Sequence, residues 1–126
     1  MEVAASPGSA YGEAVSGEPI APWLIGIQTR FRESIFDRIM AFETLKKDVE
    51  SGRSLRRALR DMAGLAHKIA GVAGTLGYPH VGHLAAEVDL CITLGLSDGS
   101  SPTDTWRRLH PALDALLDEL ETLLDP

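Results

Sequence analysis

Apolar residues recur at intervals of three and four along four successive stretches of the chain, and this spacing restricts the fold more than any other feature. In the first stretch, from about Gln28 to Glu50, it places six apolar side chains on one helical face: Phe31, Ile35, Ile39, Phe42, Leu45 and Val49. No segment has the strict alternation of a half-buried strand. The chain is therefore predicted to be all-α.

Turn signals separate the other three amphipathic stretches. The second begins near Ser51 or Ser54, both of which are residues that cap helices, and it runs to about Leu76, before Gly77. Its inner face is predicted to consist of Leu55, Leu59, Met62, Leu65, Ile69, Val72 and Leu76.

The third stretch begins at Pro79, and the fourth begins with Ser101 as a helix cap. The inward residues are predicted to be Val81, Leu84, Ala85, Val88, Cys91 and Ile92 in the third, and Trp106, Leu109, Leu113, Leu116, Leu120 and Leu123 in the fourth. Four helices with short connections predict an antiparallel up-and-down four-helix bundle.

The N-terminal part of the chain divides into a tail and a short extra helix. Residues 1–19 are rich in Ala, Gly, Ser and Pro without periodicity, and they are predicted to form a flexible tail. The bundle is assigned to residues 20–126. Pro22 suits the first turn of a short helix, which we expect to lie across one end of the bundle. Trp23 and Trp106 are expected to pack there or in the core.

Composition excludes several classes of protein. A chain of 126 residues fits one domain, and its net charge of -6 argues against a broad nucleic-acid surface. The single cysteine, Cys91, forms no intramolecular disulfide and is expected to be a small buried apolar residue. No stretch is long enough to span a membrane, and the first residues do not resemble a signal peptide, so we expect a cytoplasmic protein.

His67 lies on the side of the second helix that is opposite its predicted buried face. At about 100° per residue it is about 140° from Met62, the centre of the buried face of the second helix, and therefore faces solvent. Its neighbours one turn away, and two turns away on the C-terminal side, are all small: Ala63, Gly64, Ala70, Gly71 and Gly74. Because each interior glycine costs about 1 kcal/mol relative to alanine, this bare face indicates close approach by another molecule.

The same face is rich in cations. Four arginines precede His67 and one lysine follows it, and the only acidic residue among these cations is Asp61. The cations are Arg53, Arg56, Arg57, Arg60 and Lys68. A local excess of positive charge in an acidic chain suits an acidic partner surface or a phosphate. No carboxylate lies within reach of His67 along its own helix, and the site is convex, so the residues favour a protruding nucleophile over an enzyme pocket.

The residues around His67 resemble the signature helix of histidine-containing phosphotransfer (HPt) domains. The matching segment is Ala66-His67-Lys68-Ile69-Ala70-Gly71-Val72-Ala73-Gly74-Thr75-Leu76-Gly77, and the following helix is similar to the family at Val81, Leu84, Ala85 and Glu87. The resemblance extends from about Phe31 to Leu124. The family's glycine falls on Gly71, whereas Ala70 stands where many members carry a lysine.

The resemblance implies that His67 accepts a phosphoryl group from a receiver-domain aspartate and passes it to another receiver aspartate. Partner docking would involve Gly64, Lys68, Ala70, Gly71, Gly74, Arg56 and Arg60. The partners would be response-regulator receiver domains, including that of a hybrid histidine kinase, and they would supply the magnesium. The chain itself would be a monomeric carrier with no cofactor, no metal, no membrane or nucleic-acid partner, and no autonomous kinase activity.

Two other functions remain open. Ala70 favours a bundle that docks a receiver without transferring phosphate. His80, His83 and Glu87 have the spacing of metal ligands on one helical face, which allows a metal-binding bundle. A histidine-kinase dimerisation helix is disfavoured, because Lys68 replaces the acidic residue that typically follows the histidine there.

Overall fold

Five helices make up most of residues 21–124, which are the residues that the computed structural model describes. The helices are α1 (Pro22–Glu33), α2 (Ile35–Glu50), α3 (Leu55–Ala73), α4 (Pro79–Ser97) and α5 (Pro102–Thr122). No strand occurs within these residues, and α2 to α5 form the four-helix bundle. The predicted all-α bundle is therefore confirmed, whereas the predicted tail at residues 1–19 lies outside the described residues.

The core lies between the inner faces of α2 to α5. Its largest fully buried side chains are Phe42, Ile35, Leu59, Met62, Ile69, Ile92, Leu109, Leu113, Leu116, Leu120, Val81 and Val88. Burying a side chain of this size stabilises the fold by about 1.5–3 kcal/mol. Every residue predicted to face inward is buried or half-buried except Val72, which is 39% exposed. Val72 lies about 80° from Met62, at the edge of the buried face.

The predicted first helix is divided in two at Ser34. The Ser34 hydroxyl donates to the carbonyl oxygen of Phe31 at 2.7 Å and accepts from Arg38 Nε at 2.8 Å. A serine side chain that bonds the preceding turn competes with the regular helical pattern, which explains the break. The residues from Gln28 to Glu33 therefore belong to α1, not to α2.

Helix α1 packs at the end of the bundle where α3 and α4 are joined, as the sequence predicted. Gln28 Nε2 donates to the carbonyl oxygen of Leu76 at 2.7 Å, and the rings of Phe31 and Tyr78 stack with centroids 5.5 Å apart.

The prediction that Trp23 packs at the end of the bundle or in the core is wrong. Trp23 is 66% exposed, because it lies in the first turn of α1, before the residues that contact the bundle. Trp106 packs partly buried against the core, as predicted.

The predicted helix caps have different outcomes. Ser101 Oγ accepts from the Asp104 backbone N–H at 3.0 Å, which confirms the cap of α5. Ser54 precedes α3, but it adopts a left-handed conformation (φ 47°) and its side chain makes no capping bond. Helix α3 ends at Ala73, earlier than predicted, and Gly77 (φ 96°) completes the turn into α4.

Two glycines allow α4 to approach its neighbours closely. A methyl group on Gly82 would lie 3.4 Å from the backbone nitrogen of Gly74, so α3 and α4 almost touch near their connecting turn. A methyl group on Gly95 would lie only 2.5 Å from Thr105 Oγ1, at the contact between α4 and α5. The close contact with α3 brings one face of α4 alongside His67.

Candidate functional site

His67 lies on the outer face of α3, and 79% of its side chain is exposed. Met62 and Ile69 on the same helix are fully or almost fully buried, so α3 has clearly separated inner and outer faces. The predicted exposure of His67 is confirmed. An imidazole in this position is accessible to a partner that approaches from outside the bundle.

The surface around His67 is open above the helix backbone. A methyl group added to Gly64, Gly71 or Gly74 would meet no other atom within 4 Å outside the local helix backbone. Ala70, one turn after His67, is half-buried. Internal packing therefore does not account for these glycines, and a partner surface is able to approach the backbone of α3 closely.

The side chain of His67 is held by a carboxylate from α4. Its Nδ1 lies 3.0 Å from Asp89 Oδ2, and the other carboxylate oxygen, Oδ1, accepts from Thr93 Oγ1 at 3.1 Å. An ionised carboxylate only accepts hydrogen bonds, so this contact assigns the proton to Nδ1. In the neutral ring, that tautomer leaves the lone pair on Nε2, the nitrogen with no partner among the described residues.

Asp89 is the site residue that the sequence analysis missed. The expectation that no carboxylate accompanies His67 considered only its own helix, and the partner comes from the next one. A signal exists in the sequence, because His67 and Asp89 are equally far from Tyr78, eleven residues on either side. Residues equidistant from the turn of an antiparallel helical hairpin lie side by side, as Gly74 and Gly82 also do.

The cations predicted near His67 are exposed. Arg53, Arg56, Arg57 and Arg60 precede it on the N-terminal side of α3, and Lys68 follows it. Within residues 21–124, none of these five side chains forms an ion pair with a carboxylate. Among the described residues, the outer face of α3 therefore carries unpaired positive charge before His67, and its next turn on the His67 side consists of small residues.

The residues proposed as metal ligands do not form a site in the structure. Among the described residues, no group of three His, Cys, Asp or Glu side chains is placed to hold a metal ion. His80 Nε2 instead lies 3.9 Å from Glu119 Oε1 on α5. The metal-binding alternative based on His80, His83 and Glu87 therefore has no support from the geometry.

The expectations for Cys91 and for membrane-spanning segments are also tested by the structure. Cys91 is half-buried, not fully buried, and desolvation raises the pKa of its thiol, although Arg108 opposes this. A thiol that stays protonated is less reactive, which is consistent with a packing role. No helix within residues 21–124 is both long and apolar enough to cross a membrane.

The exposed histidine on the outer face of a four-helix bundle agrees with the resemblance to phosphotransfer domains. Comparison with protein-family models agrees, because the model of the Hpt domain matches residues 29–124. The chain belongs to the Hpt domain family, whose members take part in phosphotransfer in two-component phosphorelays with response-regulator receiver partners. Searches of curated proteins and of solved structures gave no match.

Proposed function

We propose that His67 accepts a phosphoryl group from the phosphorylated aspartate of one receiver domain and passes it to the aspartate of another. The observation that carries this proposal is the exposed imidazole, whose Nδ1 contacts Asp89 and whose Nε2 is open to a partner. The small residues on either side of His67 leave room for a receiver to bring its aspartate to this nitrogen.

In the proposed step, the Nε2 lone pair attacks phosphorus. A bond forms between Nε2 and phosphorus as the bond from phosphorus to the receiver aspartate oxygen breaks, and the electron pair leaves on the aspartate carboxylate. The Nδ1 proton remains hydrogen-bonded to Asp89, whose negative charge offsets the positive charge that develops on the ring. Transfer to the second receiver reverses these changes. Magnesium would be held by the receivers.

Asp89 and Thr93 act in this proposal by orienting the ring. The Asp89 side chain is only 26% exposed, and its hydrogen bond with Thr93 fixes the second carboxylate oxygen. A fixed carboxylate holds the imidazole in one tautomer and one orientation. Orientation of this kind reduces the entropy lost when the nucleophile and phosphorus are brought together.

Ala70 supports a second candidate function, docking of a receiver without transfer. A lysine one turn after His67 would place a positive charge beside the phosphoryl group, and Ala70 supplies none. Lys68 is about 100° around the helix from His67, so its charge is less well placed. A docking module would bind receivers with the same surface but would not become labelled.

The test measures phosphoryl transfer from a panel of phosphorylated receiver domains to the wild-type chain and to His67→Gln. We expect an acid-labile, base-stable label on the wild type and none on His67→Gln. His83→Gln is the matched control, because His83 is also exposed and lies outside the His67 site, and it should be labelled like the wild type.

Three outcomes separate the candidates. Label on the wild type and on His83→Gln, but not on His67→Gln, supports transfer by His67. Receiver binding without label supports the docking module and identifies Ala70 as the residue to change to lysine. Equal labelling of the wild type and His67→Gln rejects His67 as the acceptor.

The proposed function also includes residence in the cytoplasm and the absence of autonomous kinase activity.

A further inference from the structure

Two exposed arginines form a row along α3 that leads to His67. Arg60 and Arg56 lie within about 20° of His67 around the helix axis. With a rise of about 1.5 Å per residue, they precede His67 by about 10 and 16 Å. We call Arg56 and Arg60 the arginine ridge. Arg53 lies in the turn before α3, beyond the left-handed Ser54, and is not part of the row.

The arginine ridge is not neutralised by the described part of the chain. Each of its side chains is exposed and forms no ion pair with a carboxylate of residues 21–124. Two cations on other helices do form ion pairs: Lys46 lies 3.8 Å from Asp114, and Arg107 lies 2.7 Å from Asp104. In a chain with a net charge of -6, an unpaired row of cations requires its own explanation.

The two sides of His67 on α3 differ in shape as well as in charge. The arginine ridge projects long, charged side chains before His67, whereas Ala70, Gly71 and Gly74 leave the helix nearly bare after it. A partner that covers His67 makes close contact with the backbone on one side and meets two guanidinium groups on the other. Rotating the partner by half a turn would exchange these contacts, so the surface distinguishes the two orientations.

We propose that the arginine ridge fixes the orientation of bound receivers by contacting an acidic surface about 10–20 Å from the receiver's phosphorylated aspartate. This inference rests on the proposed function, since it assumes that receivers dock over His67. It follows that donor and acceptor receivers share the acidic surface and compete for the same face of α3. Receivers without such a surface are discriminated against, because no carboxylate of residues 21–124 neutralises the ridge.

The experiment compares charge reversal of the ridge with an equal reversal elsewhere. The ridge variant is Arg56→Glu with Arg60→Glu, and the control is Arg30→Glu with Arg32→Glu, two exposed arginines on α1. The measured quantity is kcat/KM for transfer from the receiver that labels the wild type fastest, at low and at high salt. Circular dichroism establishes that both variants are folded.

The ridge variant should lose at least about tenfold in kcat/KM at low salt, because electrostatic steering changes association rates by factors of 10 to 10³. The loss should shrink at about 1 M salt, where the screening length is only about 3 Å. The control should change less than about twofold. Replacing acidic residues of the receiver by lysine should restore transfer to the ridge variant and weaken transfer to the wild type.

A small phosphoryl donor separates this inference from the proposed function. Phosphoramidate needs no docking surface, so it should label His67 equally in the wild type and the ridge variant. If His67 is labelled by receivers and the two charge reversals have the same effect, the orientation proposal is wrong and the proposed function stands. If neither phosphoramidate nor any receiver labels His67, both are wrong.

Discussion

The glycines of α3 and α4 lie on adjacent helices but serve different purposes. On α4, Gly82 and Gly95 face neighbouring helices, where an added methyl group would reach contact distance from the backbone of α3 or overlap the side chain of Thr105, respectively. On α3, Gly64 and Gly71 face open space. Folding explains the first pair, whereas the second pair lowers helix stability by about 1 kcal/mol per residue without any gain in internal packing.

The difference shows how a binding surface is recognised in a small helical protein. A glycine that permits close packing within the fold is accounted for by its neighbours in the structure. We interpret a helical glycine that permits no internal contact as leaving room for a molecule that is not part of the fold. His67 lies between Gly64 and Gly71, so the glycines and the exposed imidazole indicate the same surface.

The largest effect in this comparison is expected for Gly95→Ala. The new methyl group would overlap the fully buried, β-branched side chain of Thr105, and overpacking of this kind costs about 1–3 kcal/mol. Urea denaturation measures the change in the free energy of unfolding. The double variant Gly95→Ala with Thr105→Ala should recover part of the loss, because it removes the overlap and a buried hydroxyl that has no hydrogen-bond partner among residues 21–124.

If Gly95→Ala is as stable as the wild type, α4 and α5 are not as closely packed as described. If the double variant is no more stable than Gly95→Ala, the overlap with Thr105 is not the cause of the loss. The first result would remove the distinction between Gly95 and the glycines of α3, whereas the second would assign the loss to another contact of Gly95.

A smaller and different effect is expected for Gly71→Leu. Leucine is a good helix former, Gly71 is exposed, and a Cβ added there meets no atom within 4 Å outside the local helix backbone, so the free energy of unfolding should not fall. Phosphoryl transfer from a receiver should slow by at least about tenfold, since displacing the docked partner by even 1 Å is enough to cause losses of this order. Ala115→Leu, which places the same side chain at an exposed position on α5, should transfer normally.

Two results for Gly71→Leu would contradict the assignment of Gly71 to a docking surface. A loss of stability in Gly71→Leu would mean that the fold itself requires the glycine. Unchanged transfer would mean that receivers do not approach the backbone of α3 at Gly71.

The smallest effect is expected for Gly64→Ala, which should raise the free energy of unfolding by about 0.5–1 kcal/mol. The methyl group meets no atom outside the local helix backbone, and alanine restricts the unfolded chain more than glycine does. Thermal and urea denaturation should both show the increase. A decrease would indicate an internal contact at Gly64 that the structure does not contain.

The sequence predicts the inner faces of the helices well, because apolar burial follows the helical period closely. It is less informative at the ends and edges of helices. Ser34 and Ser54 illustrate this, since a serine side chain is able to cap a helix, interrupt it or do neither, and the backbone conformation decides which. Trp23 is exposed because α1 contacts the bundle only through later residues, which periodicity does not reveal.

The exposure of His67 is predictable for the same reason, but its pairing with Asp89 is not. Helical periodicity places a residue on a face of its own helix and does not identify the residue beside it on another helix. That pairing depends on where the turn is, and the turn begins after Ala73 although the sequence predicts a helix to about Leu76. Once Tyr78 is known to be the midpoint of the hairpin formed by α3 and α4, the contact between His67 and Asp89 follows.

The most direct test of the account locates the phosphoryl group on the protein after transfer from a receiver. Peptide mapping at alkaline pH assigns it to a residue, and NMR of nitrogen-labelled protein assigns it to a ring nitrogen. The account predicts phosphorylation of His67 on Nε2, because Asp89 occupies Nδ1. A phosphoryl group on His80, His83 or His110, or on Nδ1 of His67, would contradict it.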